Sequence, residues 1–414
     1  MTVRRIHPAD IFVRGFGTSE GVEWGLWLAL TVYWIVERDL SVTELALLGV
    51  VLELTVLVSE TPTGVVADMR SRKQSLVIGQ VIMAVSFAWT FAVENIWMLL
   101  ASHALLGFGW TFRSGADAAW ITDELKGMSQ QEHSTDGDTY SDGHVEQLLL
   151  KRSRIGMFIS LIIGPATIAL GWWQSVRVVG LLLSLAFGLV AVWMVIVMSE
   201  EHFTPGVERD VGFRETLRTG VDVVRSRPRL RTLIVVAAFV FAGAEIFGRI
   251  GYVHLLDSAG LTDIDGSGES LLVLGVLFFL TAVAGLLMNT AASKRLDGGQ
   301  NIAAVTGVML VVAAIGGALA STTSIVVLIG IGFLLQDSVQ EAMYPVMEGW
   351  ANRDAPTEVR ATVHSLVGQT TSTSQIGGAI VLGALAEATS VQVGLGAATA
   401  LIACAAAVAL QSRH

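Results

Sequence analysis

One cysteine, Cys404, is present in 414 residues, so an intrachain disulfide is excluded. Charge is also scarce. Charged residues make up 15% of the chain against 53% hydrophobic, and the mean hydropathy is +0.63. An ordinary soluble domain is excluded by that balance. No G-x-x-x-x-G-K-[ST] loop occurs, which argues against an ATP-driven pump. No H-E-x-x-H and no nucleophile with its base occurs either, so no catalytic residue is assigned and no enzyme is expected. The polar stretch Thr122 to Leu150 holds His133, Asp136, Asp138, Asp142 and His144 without convincing ligand spacing. No metal and no cofactor are therefore expected. The first apolar run lacks a small-residue cleavage pattern and reads as an uncleaved anchor.

What the chain does have is apolar length. Charge-free runs span Gln74 to Val93, Ile155 to Val176, Val178 to Ser199, Ser270 to Ser293, Ala361 to Ala386 and Ala388 to Ser412. A membrane helix needs about 20 such residues. The longest run, Gly298 to Gln336, holds Ser321, Thr322, Thr323 and Ser324 near its middle, and it reads as two helices joined by a tight outer turn. Gly15 to Val36, Glu44 to Val66, Asn95 to Ile121 and Leu230 to Leu256 are apolar stretches that carry internal charges. The expectation is an all-α membrane protein with twelve transmembrane helices, since continuous runs, unlike alternating ones, satisfy the backbone only as helices.

Basic residues are one-sided on this layout. Arg4, Arg5, Arg70, Arg72, Lys73, Lys126, Lys151, the Arg209 to Arg231 cluster, Lys294, Arg295, Arg353 and Arg360 share one face, and only Arg38 and Arg177 fall in opposite loops. The positive-inside rule makes that face cytoplasmic, with both termini on it, in a multi-pass protein of the cell membrane. The Arg-rich connection divides the spans six and six. Residues 1–198 and 230–414 are expected to form two six-helix bundles, with 199–229 as a cytoplasmic linker. In that linker Phe213, Leu217, Val221 and Val224 recur at helical spacing beside Arg214, Arg218 and Arg225, which suits either an amphipathic helix on the membrane face or a solvated linker helix. Weak repetition supports the division: Trp120 and Asp123 close the fourth span much as Trp350 and Asn352 close the tenth.

Between the second and third spans lies Glu60-Thr-Pro62-Thr-Gly64-Val-Val-Ala67-Asp68-Met-Arg70-Ser71-Arg72-Lys73. This segment resembles the G-x-x-A-D-x-x-G-R-K loop of the major facilitator superfamily, with Ser71 in place of the second glycine. Asn352 to Pro356 and Arg360 to Ser365 agree with the same family. The resemblance implies two rocking bundles and a cytoplasmic gate, to which Gly64, Asp68, Arg72 and Lys73 are assigned. Gly64 is expected to permit close helix approach, Asp68 to meet the start of the eleventh span, and Asp123 to partner Arg72. Arg113 and Asp117, four residues apart near the inner edge, are expected to pair or to join that gate. The fifth span, with Gly156, Ser160, Gly164 and Pro165, resembles the Gly-Pro core of the antiporter motif, although Ile168 and Ala169 replace its last glycines. Such small residues also suit plain helix packing. The arginine that many proton-coupled members carry midway along the fourth span is missing, with Leu105 in its place.

Ionisable residues inside spans are costly in lipid and mark function. Glu23, Glu53, Glu245 and Asp337 are expected near the midplane, facing a central cavity. Arg249 stands one turn from Glu245 and can neutralise it, whereas Asp337 and Glu341 are like charges one turn apart, an arrangement suited to carrying a proton. The resemblance and these charges together imply a secondary transporter of the drug/proton antiporter-like exporter type, moving an amphipathic or cationic small molecule outward. A proton-coupled nutrient or metabolite symporter is the alternative within transport, and a non-transporting membrane receptor the alternative outside it. The expected partners are a small-molecule substrate, protons and the lipid bilayer, with no nucleic acid, and the protein is expected to be monomeric.

Overall fold

A computed structural model describes residues 6–132, 142–203, 221–262, 267–297, 301–355 and 360–412. Every secondary-structure element among the described residues is a helix. The helices are α1 (8–37), α2 (Val42–Met69), α3 (Arg72–Ala92), α4 (Ile96–Arg113), α5 (Ala116–Glu132), α6 (Asp142–Trp173), α7 (Val176–Val197), α8 (Pro228–Ser258), α9 (Ser267–Asp297), α10 (Ile302–Thr322), α11 (Val326–Asp354), α12 (Arg360–Ala388) and α13 (Val391–Gln411). Nine of the described helices are long and apolar enough to cross a membrane. The first, fourth and eleventh expected spans stand outside the nine. Two π-helical stretches, Phe12–Phe16 and Tyr33–Glu37, interrupt α1. The fourth span stops at Arg113, because Ser114 is non-helical and Gly115 adopts a φ of 72°. The eleventh carries the polar run Gln369 to Gln375.

Helix starts follow from side chains that accept first-turn N–H groups. Ser71 accepts from Gln74, Asn95 from Trp97, Ser175 from Val178, Asn301 from Ala303 and Ser390 from Val393. The long run 298–336 breaks where its hydroxyl residues lie, since α10 ends at Thr322 and α11 begins at Val326.

The chain forms two compact units. The first comprises Met1–Arg38, Thr55–Glu208 and Ser267–Leu271, and the second Asp39–Leu54, Arg209–Gly266 and Leu272–His414. In the first unit α1 packs on α6 and α7, and α3 packs on α4 and α7. In the second, α8 packs on α12 and α13, and α10 packs on α11 and α13. Counted as spans, the two patterns are the same: the first of six pairs with the fifth and sixth, and the third with the fourth and sixth. Trp120 and Trp350 are both fully buried, one in each unit.

His133, Asp136 and Asp138 lie outside the described residues, as do Phe213, Arg214, Leu217 and Arg218. Val221 and Val224 belong to a helical stretch at 221–226. Among the described residues, no group of three or more His, Cys, Asp or Glu is placed to hold a metal.

Candidate functional site

In the first unit the polar groups are positioned by a glycine stripe on α1. Gly17, Gly21 and Gly25 recur at four-residue intervals, one face of a helix. A β-carbon at Gly21 would lie 2.5 Å from Ile159, and one at Gly25 2.4 Å from Ile163. The α1 backbone therefore lies directly against α6. From α6, Gly164 receives the Trp24 ring, 2.9 Å from where its β-carbon would stand, and Gly156 faces Glu20. Pro165 follows inside the helix.

That approach brings Glu20 to Arg152, whose Nε donates to Glu20 Oε1 at 2.6 Å. The same guanidinium donates through Nη1 to Asp117 and stacks over Phe12 and Phe16. Glu23, one turn further along α1, accepts from Arg113 Nη1 at 2.8 Å. Both of those side chains are buried, at 7% and 10% exposure, and the Arg113 guanidinium lies 4.9 Å over the Trp110 ring. The expected pairing of Arg113 with Asp117 is therefore not formed. It presumed an unbroken helix, and the break at Gly115 sends Arg113 to α1 and Asp117 to α6.

The loop after α2 is held from several sides. Arg72 donates to Asp123 and, at 2.8 Å, to the Ala119 carbonyl, and it stands 3.6 Å from Asp68. Arg72 and Asp123 thus meet, joining the start of α3 to α5. Lys73 Nζ donates to the Met198 carbonyl, and its backbone N–H to Glu200 Oε1 at 2.9 Å. Ser71 is extended, with φ at −174°, a conformation open to any residue, and its hydroxyl donates to Glu200 while capping α3. Asp68 is exposed. Gly64 does not supply the close approach expected of it: a β-carbon there meets nothing within 4 Å among the described residues. A buried Glu124 accepts from the backbone N–H groups of Glu201 and His202, at 2.9 and 3.1 Å.

The second unit gathers Glu53, Glu245, Arg249, Asp337 and Glu341. Glu245 accepts from Arg249 Nε, and both are largely buried. Gly49 of α2 seats this pair, since a β-carbon there would fall 2.2 Å from Glu245 Oε1 and 2.7 Å from Arg249 Nε. Arg249 lies within the π-helical stretch Phe247–Gly251, and the next residue, Tyr252, turns its hydroxyl to Asp337 of α11 and donates at 2.9 Å. The Tyr252 ring is held between Phe278 and Phe333, at 5.3 Å from each. Among the described residues no cation pairs with Asp337. Glu341, one turn on, is exposed, and Glu53 is half-buried.

Sequence reasoning missed Tyr252, although it stands seven residues after Glu245 on the same span, a spacing that shares a helix face. It also missed the α1 glycine stripe, visible as a four-residue period. The run Gln369 to Gln375 bears no charge and so gives no ionisable signal; within it Thr371 and Ser372 are buried.

No curated protein matches the chain in sequence. Among solved structures, a mutant of the nucleoside transporter NupG superposes with a TM-score of 0.76, at 14% identity over 97% of this chain and 99% of that one. A bacterial homolog of the human lysosomal transporter Spinster, inward-facing and unoccupied, reaches 0.72 at 15% identity over 98% and 96%. A POT family transporter in complex with a thioalcohol-conjugated peptide reaches 0.71 at 12% identity over 97% and 95%. At these identities the likeness establishes the fold. The sequence profile of the Major Facilitator Superfamily matches residues 153–382, more than half of the chain. This chain therefore belongs to the Major Facilitator Superfamily, as a multi-pass secondary transporter of the membrane.

Proposed function

We propose that the chain is a proton-coupled exporter of an amphipathic or cationic small molecule, working by alternating access, with Asp337 as its proton carrier. The observation that carries this reading is the environment of Asp337. Glu23 and Glu245 each face an arginine, whereas Asp337 accepts from the neutral Tyr252 hydroxyl and has no cation beside it among the described residues. An uncompensated charge is costly within a span, and gaining a proton removes that charge. Tyr252 fixes the carboxylate in place. Glu245 and Arg249 form the balanced pair nearby in sequence, while Glu53 and Glu341 supply further carboxylates in the same unit. Glu23 with Arg113, and the loop from Gly64 to Lys73 with Asp123, belong to the framework that holds the first unit's gate.

A second reading, proton-coupled uptake of a polar metabolite, is favoured by one observation. Gln369 to Gln375 places seven consecutive hydroxyl and amide side chains in a span, the donors and acceptors a polar solute requires. The nucleoside and peptide transporters among the structural neighbours fit that alternative.

A thermal-shift panel at two pH values identifies a substrate, and proteoliposomes then test the coupling. Asp337→Asn is expected to abolish transport driven by a pH gradient while leaving substrate exchange at equal pH intact. Driven transport at the wild-type rate would remove Asp337 from the mechanism. Substrate accumulating with protons, and not against them, selects uptake.

A further inference from the structure

The second unit carries a basic hollow at one end, formed by the start of α8, the N-cap of α10 and the last turns of α11 and α13. A cavity of about 290 Å³ there is lined by Arg229, Asn301, Trp350, Arg353, Asp354 and Ser412, among others. An adjoining cavity of about 370 Å³ shares Arg229 and Asp354 and adds Arg227. The described lining of the two cavities thus holds three guanidinium groups and one carboxylate.

That carboxylate is already engaged. Asp354 Oδ2 accepts from Trp350 Nε1 at 2.9 Å, Oδ1 stands 3.5 Å from Arg229 Nη1, and its carbonyl accepts from Arg227 Nη1 at 3.1 Å. These contacts fix two arginines at the cavity wall. Arg353 is exposed, and no carboxylate pairs with it among the described residues. Among the described lining residues guanidinium groups outnumber carboxylates. Ile302 and the fully buried Trp350 also line the hollow. Guanidinium groups gathered at the ends of membrane helices suit a phosphate-bearing anion.

We propose that this hollow binds a phosphate-bearing anion, held by Arg229 and Arg353, supplied either as the headgroup of an acidic phospholipid or as a soluble phosphate ester. It involves none of the groups assigned to transport. Arginine suits the task because its planar fork meets phosphate oxygens two at a time, and the attraction weakens as salt screens it.

Native mass spectrometry of the full chain in detergent tests the idea with three probes: phosphatidylglycerol, phosphatidylcholine as a zwitterionic control, and glycerol 3-phosphate. One tightly retained phosphatidylglycerol, weakened at least about tenfold by Arg229→Gln with Arg353→Gln, assigns the site to lipid. Retention of glycerol 3-phosphate with the same loss assigns it to soluble phosphate. Arg353→Gln alone removes an exposed side chain without a carboxylate partner and so keeps the fold; it is expected to lower the same retention by a smaller factor. Retention of neither anion, equal retention of phosphatidylcholine, or retention unchanged in both variants overturns the proposal.

Discussion

Ser71 stands where the family loop has glycine, and its backbone accounts for the exchange. At a φ of −174° no left-handed conformation is required, so a side chain is tolerated, and this one caps α3. Ser71→Ala is expected to cost about 1 kcal/mol and Ser71→Gly only a few tenths; thermal unfolding in detergent ranks the two, and equal losses would show that the cap is idle. Glu23 is the harder case. Its removal strands Arg113 in a buried place, and Glu23→Gln is expected to destabilise by about 3–5 kcal/mol, with Arg113→Gln added to it recovering much of the loss. A double variant no more stable than Glu23→Gln would show that the pair is not the source of the penalty. These two sites also mark what sequence could reveal. Arg72 and Asp123 were readable as partners, because the loop signature and the end of the fourth span fix which residues share a membrane face. Arg113 and Glu23 are 90 residues apart, and nothing local to either states their meeting. Helical spacing instead pointed Arg113 at Asp117, and a single positive φ at Gly115 undid it.

At the scale of elements, hydropathy located the helices but not their faces. The spans were legible because lipid leaves a continuous apolar run few alternatives. Which helices touch was not, since nearly every residue in a span is apolar and lipid-facing and partner-facing sides look alike. Small residues carry that information. The α1 stripe of Gly17, Gly21 and Gly25 reports contact with α6, whereas a β-carbon at Gly64, singled out from the family loop, would meet nothing within 4 Å among the described residues. The two glycines are expected to behave oppositely. Gly21→Ala drives a β-carbon into Ile159 and the Gly156 carbonyl, and overpacking of this kind costs about 1–3 kcal/mol. Gly64→Ala gains helix propensity at no steric expense and should be neutral or stabilising by up to about 1 kcal/mol. Unfolding midpoints of the two variants in one detergent decide it; a tolerated Gly21→Ala would show that α1 and α6 separate easily.

For the whole molecule, the recurrence of one pairing pattern in both units says more than sequence repetition did. The residues that repeat, Trp120 with Trp350, are few, but both are buried, Trp120 near the start of α5, which packs on α3, and Trp350 near the end of α11, which packs on α10. Selection on packing leaves side chains free to drift while the pairing persists. An even number of spans returns a chain to the side where it began, so the twelve-span reading predicts a topology that can be tested directly. The run 298–336 is the most informative place. Its turn, at 323–325, is short and uncharged, whereas the next connection follows Asn352 and Arg353. The positive-inside rule puts the first outside and the second in the cytoplasm. Cys404, the native thiol, is exposed and must be removed first. In a Cys404→Ser background, Ser324→Cys should react with a membrane-impermeant maleimide on intact cells, and Asn352→Cys only after permeabilisation. The reverse labelling would invert the protein in the membrane and place the basic hollow at Arg229 and Arg353 outside. Labelling of both thiols in intact cells would mean that one of the two connections does not stay on its expected side of the membrane.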